Sequence, residues 1–308
     1  MSRTEIPAGG TNKSVAEHNL QDFRPYHMTR GNIWFVDSGV SASGNGLSPD
    51  GAVSTIDAAI NLCTASQLDT IYVCEGHAET ISTSTGLVMD VAGVDVIGLG
   101  RGTLRPKLTL SASASTISIT GASCSLSNIH LFSSFTGGVI AGITVGAAAD
   151  GLVLNDIEMT ETAATEEWLI GISIATLCTE VAINRFRYKG TAGGTTSSAI
   201  YAAGAADGLV IRDSYIHGDF SGAAVDYSVS ASTDVELYDN RIINIDTGAG
   251  LGLAAHASST GFVARNVIAN LKDTVKGVSG AGMAYCENYG TNALNAQGTV
   301  ALALAVDT

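Results

Sequence analysis

The sequence is poor in charge, and what charge it has is mostly negative. Charged residues make up 14% of the 308 positions, with 15 Lys and Arg against 29 Asp and Glu, so the formal net charge is −14. Proteins that bind nucleic-acid phosphates need clustered Lys and Arg. We therefore expect no nucleic-acid partner, and the acidic balance favours solubility or contact with a basic surface on another protein.

Paired cysteines and long apolar runs are also missing. The five cysteines form no CxxC pair and no spacing typical of metal ligands. Scattered in this way, they indicate buried thiols made in a reducing compartment, and we expect no metal and no cofactor. No run of 18 apolar residues occurs and the first residues lack a signal pattern. Synthesis in the cytoplasm, without a cleaved signal or a membrane span, is the expectation.

Glycine is abundant, at 36 residues, and one short phrase keeps returning. The phrase at 151–159 (GLVLNDIEM) recurs at 208–216 (GLVIRDSYI), and weaker copies lie at 124–131, 181–188, 235–242 and 262–268. The copies align on one polar position, with steps of 28, 29, 28, 26 and 27 residues, at Asn128, Asp156, Arg185, Asp213, Asp239 and Asn266.

A second phrase keeps the same period out of phase with the first. Its apolar positions, with steps of 29, 28, 25 and 26, are Ile143, Ile172, Ile200, Val225 and Leu251. A fixed period of this length indicates a stack of units that bury their apolar faces against each other. Short Val-, Ile- and Leu-rich phrases between Gly, Ser, Thr, Asn and Asp are typical of strands and turns.

Other repeat architectures fit less well. Helical repeats need apolar residues at helical spacing, leucine-rich repeats need Leu at fixed offsets, and a propeller blade needs about 40 residues or more. Two or three strands with their turns fit about 27 residues, which is one coil of a parallel β-helix. The sequence therefore predicts an all-β, right-handed parallel β-helix solenoid of about eight coils, with the hand taken from parallel crossovers in general.

The flanks of the repeat predict four segments. Residues 1–30 form an extended N-terminal arm, 31–68 a strand, a loop and a capping helix, 69–275 the coils, and 276–308 a closing segment that ends in a strand. The helix has an apolar stripe at Ile56, Ala59, Ile60 and Cys63, with Ser54 or Thr55 as its N-cap. The arm either packs on a neighbouring subunit or folds back on its own coils, and its expected contact residues are Phe23, Arg24, Tyr26 and Met28.

The order of segments from 35 to 101 carries a family resemblance. Phe35-Val-Asp37, Gly46-Leu-Ser-Pro-Asp50, Thr55-Ile-Asp-Ala-Ala59, Asp69-Thr-Ile-Tyr-Val73 and Val96-Ile-Gly-Leu-Gly-Arg101 follow one another. This order resembles the entry segment of right-handed β-helix proteins of the pectin-lyase-like superfamily, and more narrowly those encoded among tailed-bacteriophage structural genes. The resemblance covers roughly residues 31 to 270. It implies the fold but not one activity, because that superfamily includes lyases, hydrolases, tailspikes and inert structural proteins.

Stacked coils bring equivalent positions about 4.8 Å apart. The recurring polar position then predicts a structural ladder at a sharp turn, where Asn and Asp tolerate the left-handed conformation. The residues of this ladder are Asn128, Asp156, Asp213, Asp239 (or Asn240) and Asn266. Two positions further on, Glu158 and Arg187 are expected to form an exposed pair between coils.

Catalytic phrases are not recognisable. The Asn-Thr-Asp, Asp-Asp and Gly-His-Gly phrases of polygalacturonase-type hydrolases are absent, and Gly76-His-Ala78 is the nearest fragment. A glycosidase needs two carboxylates in one groove about 5–9.5 Å apart. No sequence feature singles out any of the loose candidates, which are Asp213 with Arg212, Asp239 with Arg241, Asp219 with Asp226, Asp246, and Glu166 with Glu167. The turns at 161–167 and 191–197 either contact other subunits or are simply solvated.

These observations favour a structural role. We expect a non-enzymatic virion protein, a capsid decoration (cement) protein that assembles as a homotrimer on the major capsid protein or another virion subunit. Synthesis in the cytoplasm, the lack of a catalytic phrase and the polar arm motivate this expectation. The alternative is a tail-associated protein that binds or degrades carbohydrate, and release of products from host capsular polysaccharide would distinguish the two.

Overall fold

The fold is a right-handed parallel β-helix of about seven turns, close to the eight coils expected. It is seen in a computed structural model that describes residues 31–271, 278–279 and 282–290. The N-terminal arm, with Phe23, Arg24, Tyr26 and Met28, lies outside the described residues, as does the final strand expected near the C-terminus.

Within the described residues the chain forms short strands, one α-helix and one 3-10 turn. The helix is α1 (Ile56–Ile60) and the 3-10 turn is Gly102–Leu104. The strands are β1 (Ile33–Val36), β2 (Thr70–Val73), β3 (Ala78–Ile81), β4 (Val88–Met89), β5 (Asp95–Gly98), β6 (Lys107–Leu110), β7 (Ile117–Ile119), β8 (Ser125–Ser127), β9 (His130–Ser133), β10 (Val139–Val145), β11 (Val153–Asn155), β12 (Glu158–Glu161), β13 (Trp168–Ile174), β14 (Ala182–Asn184), β15 (Arg187–Lys189), β16 (Ser198–Ala202), β17 (Val210–Arg212), β18 (Tyr215–Gly218), β19 (Ala223–Tyr227), β20 (Val235–Tyr238), β21 (Arg241–Asn244), β22 (Leu251–Ala255), β23 (Gly261–Ala264), β24 (Val267–Asn270), β25 (Val278–Ser279), β26 (Ala284–Cys286) and β27 (Tyr289–Gly290).

Each coil gives one strand to each of three parallel sheets. The ten-stranded sheet runs β1-β2-β5-β8-β11-β14-β17-β20-β23-β26, the nine-stranded sheet β3-β6-β9-β12-β15-β18-β21-β24-β27, and the eight-stranded sheet β4-β7-β10-β13-β16-β19-β22-β25. Every strand inside a sheet therefore hydrogen-bonds to the strands one coil before and one coil after it. The three sheets enclose a narrow apolar interior.

The register confirms the predicted period. Leu154 on β11 is opposite Ile183 on β14, which is opposite Ile211 on β17, and all three side chains are fully buried. A fully buried Leu or Ile contributes about 1.5–3 kcal/mol relative to an exposed one, so the recurring phrase supplies much of the driving force for stacking.

The second phrase is in register for four of its five members. Ile143, Ile172, Ile200 and Val225 lie opposite one another on β10, β13, β16 and β19. The fifth position is Leu253, whereas Leu251 lies opposite Ala223. Residues two apart on a strand point to the same face, so the apolar pattern alone could not separate these two leucines.

Helix α1 lies against the first coil. The Thr55 side chain accepts a hydrogen bond from the Ala58 backbone N–H at 3.2 Å and so acts as the N-cap. The helix buries Ile56, Ala59 and Ile60 against β1, β2 and β4. Strand β1 pairs with β2 in parallel register, which makes it the first strand of the ten-stranded sheet. At the other end, β25, β26 and β27 continue the three sheets in turn.

Candidate functional site

The turn from the ten-stranded to the nine-stranded sheet repeats in every coil and holds the predicted ladder. One position of this turn has a positive φ in successive coils, between 51° and 58°. Its residues, here called the left-handed turn column, are Asn128, Asp156, Arg185, Asp213, Asp239, Arg265 and Glu287. Asn128, Asp156, Asp213 and Asp239 thus share the expected column, whereas Asn266 lies one residue beyond it. The step from Asp239 to the next residue of the column, Arg265, is 26 residues. The recurring phrase predicts Asn266 instead, because an Asn is the typical residue for a left-handed position.

The left-handed turn column carries ion pairs between coils rather than stacked amides. Arg185 donates to Asp156 through Nε at 2.9 Å and through Nη2 at 2.8 Å. Arg265 donates to Asp239 through the same two nitrogens, at 2.8 and 2.7 Å. These hydrogen bonds hold the pKa of the Asp239 carboxyl below its ordinary value. Arg and Glu tolerate this left-handed backbone conformation less well than Asn and Asp do. At Arg185 and Arg265 the guanidinium group forms two hydrogen bonds to an aspartate of the preceding coil.

A buried amide ladder stands one residue further along the same turn. It comprises Ser214, Asn240, Asn266 and Asn288, all buried. The Oδ1 atom of Asn266 accepts from the Asn240 backbone N–H at 2.9 Å and from its Nδ2 at 3.0 Å, and Asn288 accepts in the same way from Asn266. Each Nδ2 also donates to a backbone carbonyl of the preceding coil, at 2.7–2.9 Å. These amides satisfy each other and the backbone, so the ladder is structural.

Three of the carboxylates considered for catalysis accept hydrogen bonds that stabilise turns. Asp226 accepts from Ser228, Asp219 from the Gly193 backbone N–H, and Asp246 from the N–H groups of Gly248 and Gly250. The bonds of Asp226 and Asp246 are local and typical of turn formation, whereas Asp219 links its turn to a turn of the preceding coil. Elsewhere in the described part of the chain, Arg212 donates to Asn184, and His77 is buried between the Ser38 N–H and Glu79.

The two protruding turns at 161–167 and 191–197 are bonded to each other. Glu161 and Glu167, both about 5% exposed, accept hydrogen bonds from the 191–197 turn. Glu161 accepts from the Tyr188 hydroxyl at 2.5 Å, the Thr191 N–H at 2.6 Å and the Thr196 hydroxyl at 2.8 Å. Burial nevertheless raises the pKa of Glu161, because its hydrogen bonds only partly offset the lost solvation.

A different surface concentrates the cations of this acidic chain. The outward positions of β6, β9, β12, β15, β18 and β21 line up in two columns on the nine-stranded sheet. We call this surface the cationic face, and its residues are Lys107, Thr109, His130, Phe132, Glu158, Thr160, Arg187, Lys189, Tyr215, His217, Arg241 and Ile243. It carries four Lys and Arg and a single acid, the reverse of the balance in the whole chain.

Glu158 is the one acid of this face, and it is already paired. It bonds to Lys189 on the next coil and to Arg105 at 3.2 Å. Burial pushes the pKa of Glu158 upward, but Lys189, His130 and Arg105 outweigh this and hold the pKa below its ordinary value. Arg187 is the register neighbour of Glu158, as the sequence indicated, yet the expected pair between them is replaced by the bonds to Lys189 and Arg105.

Aromatic rings alternate with the cations. The His130 and Phe132 rings lie 4.0 Å apart, and the Tyr215 and His217 rings are parallel at 6.3 Å. The Arg241 guanidinium lies 5.7 Å from the centre of the Tyr215 ring, within cation–π range. Burial and the nearby cations lower the pKa of His130 to about 4, so it is neutral at physiological pH.

A shallow groove of about 350 Å³ lies where the cationic face meets the left-handed turn column. Arg105, Arg187 and Tyr215 are among its lining residues, and Asp156, Glu158 and Asp213 contribute carboxylates. Asp156 and Glu158 are both engaged in ion pairs, and among the described residues Asp213 is the carboxylate of this groove without an ion pair. The groove can therefore bind polar or charged groups, but it offers no second free carboxylate.

Comparison with known proteins gives no relative. No family model, no curated protein and no solved structure matches the chain. In the described ranges, no helix is long and apolar enough to span a bilayer, and His, Cys, Asp and Glu nowhere cluster as three or more potential metal ligands.

Proposed function

We propose that the chain is a non-enzymatic structural protein of a tailed-bacteriophage particle, a capsid decoration protein. The observation that carries this proposal is the state of the groove beside the cationic face. Of its three carboxylates, Asp213 alone has no ion pair with a residue that the structure describes. A glycosidase needs two working carboxylates that flank one bond. The side chains around this groove are instead arranged for binding.

The regular stack supports the same proposal. Its coils are linked by parallel strand pairing, the buried amide ladder and the ion pairs of the left-handed turn column. Such a body presents rigid, flat side-chain columns to a partner. In this role the protein would assemble as a homotrimer on the capsid surface and contact the major capsid protein or another virion subunit. The resemblance of segments 35–101 to phage β-helix proteins gives this proposal its setting.

The test is co-purification with DNA-filled particles. We expect the chain to be present on purified filled capsids in a fixed number of copies per major capsid subunit. Particles assembled without it should still package DNA, but they should release the DNA more readily on heating or chelation than particles that carry the chain. Absence of the chain from purified particles would overturn the proposal.

A second function is favoured by the alternation of rings and cations on the cationic face. Tyr215, His217 and Phe132, with Arg187 and Arg241 beside them, form a surface of the type that binds an acidic polysaccharide without cleaving it. A tail-associated carbohydrate-binding protein would retain host capsular polysaccharide on a column, and the retention would be lost in Tyr215→Ala. Release of new reducing ends or unsaturated products would overturn both non-enzymatic functions.

A further inference from the structure

Two arginines of the cationic face are exposed and lack acidic partners. Arg187 and Arg241 occupy one column and are two coils apart, with Tyr215 between them. Both are exposed, and neither belongs to any ion pair of the described residues. An unpaired guanidinium group is an efficient ligand for a carboxylate, because it can donate two parallel hydrogen bonds.

Two acids stand in a matching arrangement at another corner. Glu180 and Asp234 lie on the turn from the eight-stranded to the ten-stranded sheet, at equivalent positions on either side of Gly208. Both are exposed, with positive φ values of 56° and 54°. No cation of the described ranges pairs with either carboxylate. Asp150 and Asp207 extend this acidic corner on neighbouring coils.

The two sets have the same spacing. Glu180 precedes Arg187 by seven residues in one coil, and Asp234 precedes Arg241 by seven residues two coils later. Since neighbouring strands are about 4.8 Å apart, the two arginines and the two acids are each separated by about 9.6 Å along the axis of the helix. If a second β-helix lay beside the first with its axis parallel, its two acids could therefore contact both arginines at the same time.

We propose that a second copy of this chain docks side by side on the cationic face, with Glu180 and Asp234 of one copy contacting Arg187 and Arg241 of the next. This inference deepens the proposed structural role and rests on it, because it names the surface through which the subunits assemble. The Tyr215 and His217 rings lie among the arginines and supply the aromatic contact area that is enriched in protein interfaces.

A copy of the chain fits this face better than an unrelated acidic partner. The chain itself is rich in carboxylates, with 29 Asp and Glu, and its acidic corner repeats with the pitch of the cationic face. The two patches differ, so the contact is heterologous, and it either closes into a ring such as a trimer or extends into a row. Either assembly leaves the coils parallel.

The test is sedimentation of the purified full-length chain at about 50 mM and about 500 mM NaCl over a range of concentrations. Two double variants reverse the two patches, R187E/R241E and E180K/D234K. All four positions are exposed, and the Glu180 and Asp234 side chains bond to no other described residue, so folding should be preserved and is checked by circular dichroism. The controls are Arg101→Glu and Asp50→Lys, which change exposed charges away from both patches.

We expect the wild type and both controls to associate at low salt and to dissociate at high salt. Each double variant should associate more weakly by about tenfold or more. An equimolar mixture of the two double variants should form heterodimers, because one keeps the acidic corner and the other keeps the cationic face. This recovery cannot come from a misfolded protein.

A monomeric wild type at every concentration would overturn the inference, as would association that ignores both double variants or a mixture that stays monomeric. If the monomeric wild type instead bound poly-L-glutamate or polygalacturonate through Arg187 and Arg241, the cationic face would serve a different acidic partner and the inference would also fall. These measurements use purified protein alone. Their failure is therefore separate from a failure of the chain to co-purify with particles.

Discussion

The left-handed turn column and the buried amide ladder occupy adjacent positions of one turn, but they differ in burial and in the bonds that their side chains form. The left-handed turn column is exposed, and its Arg185 and Arg265 pair with aspartates of the coil before. The amide ladder next to it is buried, and its asparagines bond only to each other and to the backbone. Exposed ion pairs contribute little because water competes for both charges. A buried polar group is costly to leave unpaired, so the ladder fixes the register of the coils.

The largest effect should come from breaking the amide ladder. Asn266→Ala removes the acceptor of the Asn240 backbone N–H and side-chain amide, and also the donor to the Leu237 carbonyl. Leaving such buried groups unpaired should lower the free energy of unfolding by about 2–4 kcal/mol. Urea denaturation followed by circular dichroism measures the loss. Arg265→Ala, one residue away on the exposed side, is the matched control and should leave the midpoint almost unchanged. Equal losses in the two variants would contradict the comparison.

A second, smaller effect concerns Glu161, a buried acid rather than a buried amide. Its pKa is raised in the folded protein, so the folded state binds this proton more tightly than the unfolded state does. The stabilising contribution of the proton is complete below the ordinary value of 4.5 and is lost as the pH rises through the raised value. The stability of the wild type relative to Glu161→Gln should therefore fall as the pH increases from 4.5 upward.

Unfolding free energies of the two proteins at several pH values measure this slope. Glu166→Gln is the control, because Glu166 bonds to Thr162 at the exposed tip of the same turn. A difference between wild type and Glu161→Gln that does not change with pH would show that the carboxyl is not buried as described.

The smallest effect should come from the exposed column itself. Arg185→Asn gives up the ion pair with Asp156 but places at φ 51° a residue that tolerates this conformation. The two changes oppose each other, and the free energy of unfolding should shift by about 0–1 kcal/mol in either direction. Thermal unfolding at low and high salt measures it. A loss as large as that of Asn266→Ala would mean that the exposed column, and not the ladder, holds the coils together.

The sequence was sufficient for the period but not for its exact phase everywhere. Leu154, Ile183 and Ile211 stack as predicted, because a buried apolar position must recur in every coil. The recurring phrase predicts Asn266 at the left-handed position, whereas the structure has Arg265 there and Asn266 directly after it, in the buried ladder. The period predicts Leu251 in the column of Val225, whereas the structure has Leu253 there. Both leucines point to the same side of the strand, so the apolar pattern does not distinguish them.

The cationic face was only half visible in the sequence. His130, Glu158, Arg187, Tyr215 and Arg241 fall two positions after the recurring polar residue, so their shared column followed from the period. The partners of Glu158, Lys189 and Arg105, did not follow from the period. Long side chains can pair along the diagonal of the sheet, as Lys189 does with Glu158, as well as with the residue directly opposite. The period does not specify which of these pairs forms.

The most direct test of the stack is a disulfide between neighbouring coils. Arg187 and Tyr215 are register partners, so their Cα atoms should be about 4.8 Å apart, within the range of about 4.4–6.8 Å that a disulfide accepts. In a chain with the exposed Cys286 replaced by Ser, R187C/Y215C should form an intramolecular disulfide under mild oxidation. R187C/R241C, two coils apart, should remain reduced. A disulfide in the second variant and none in the first would contradict the one-coil repeat on which the account depends.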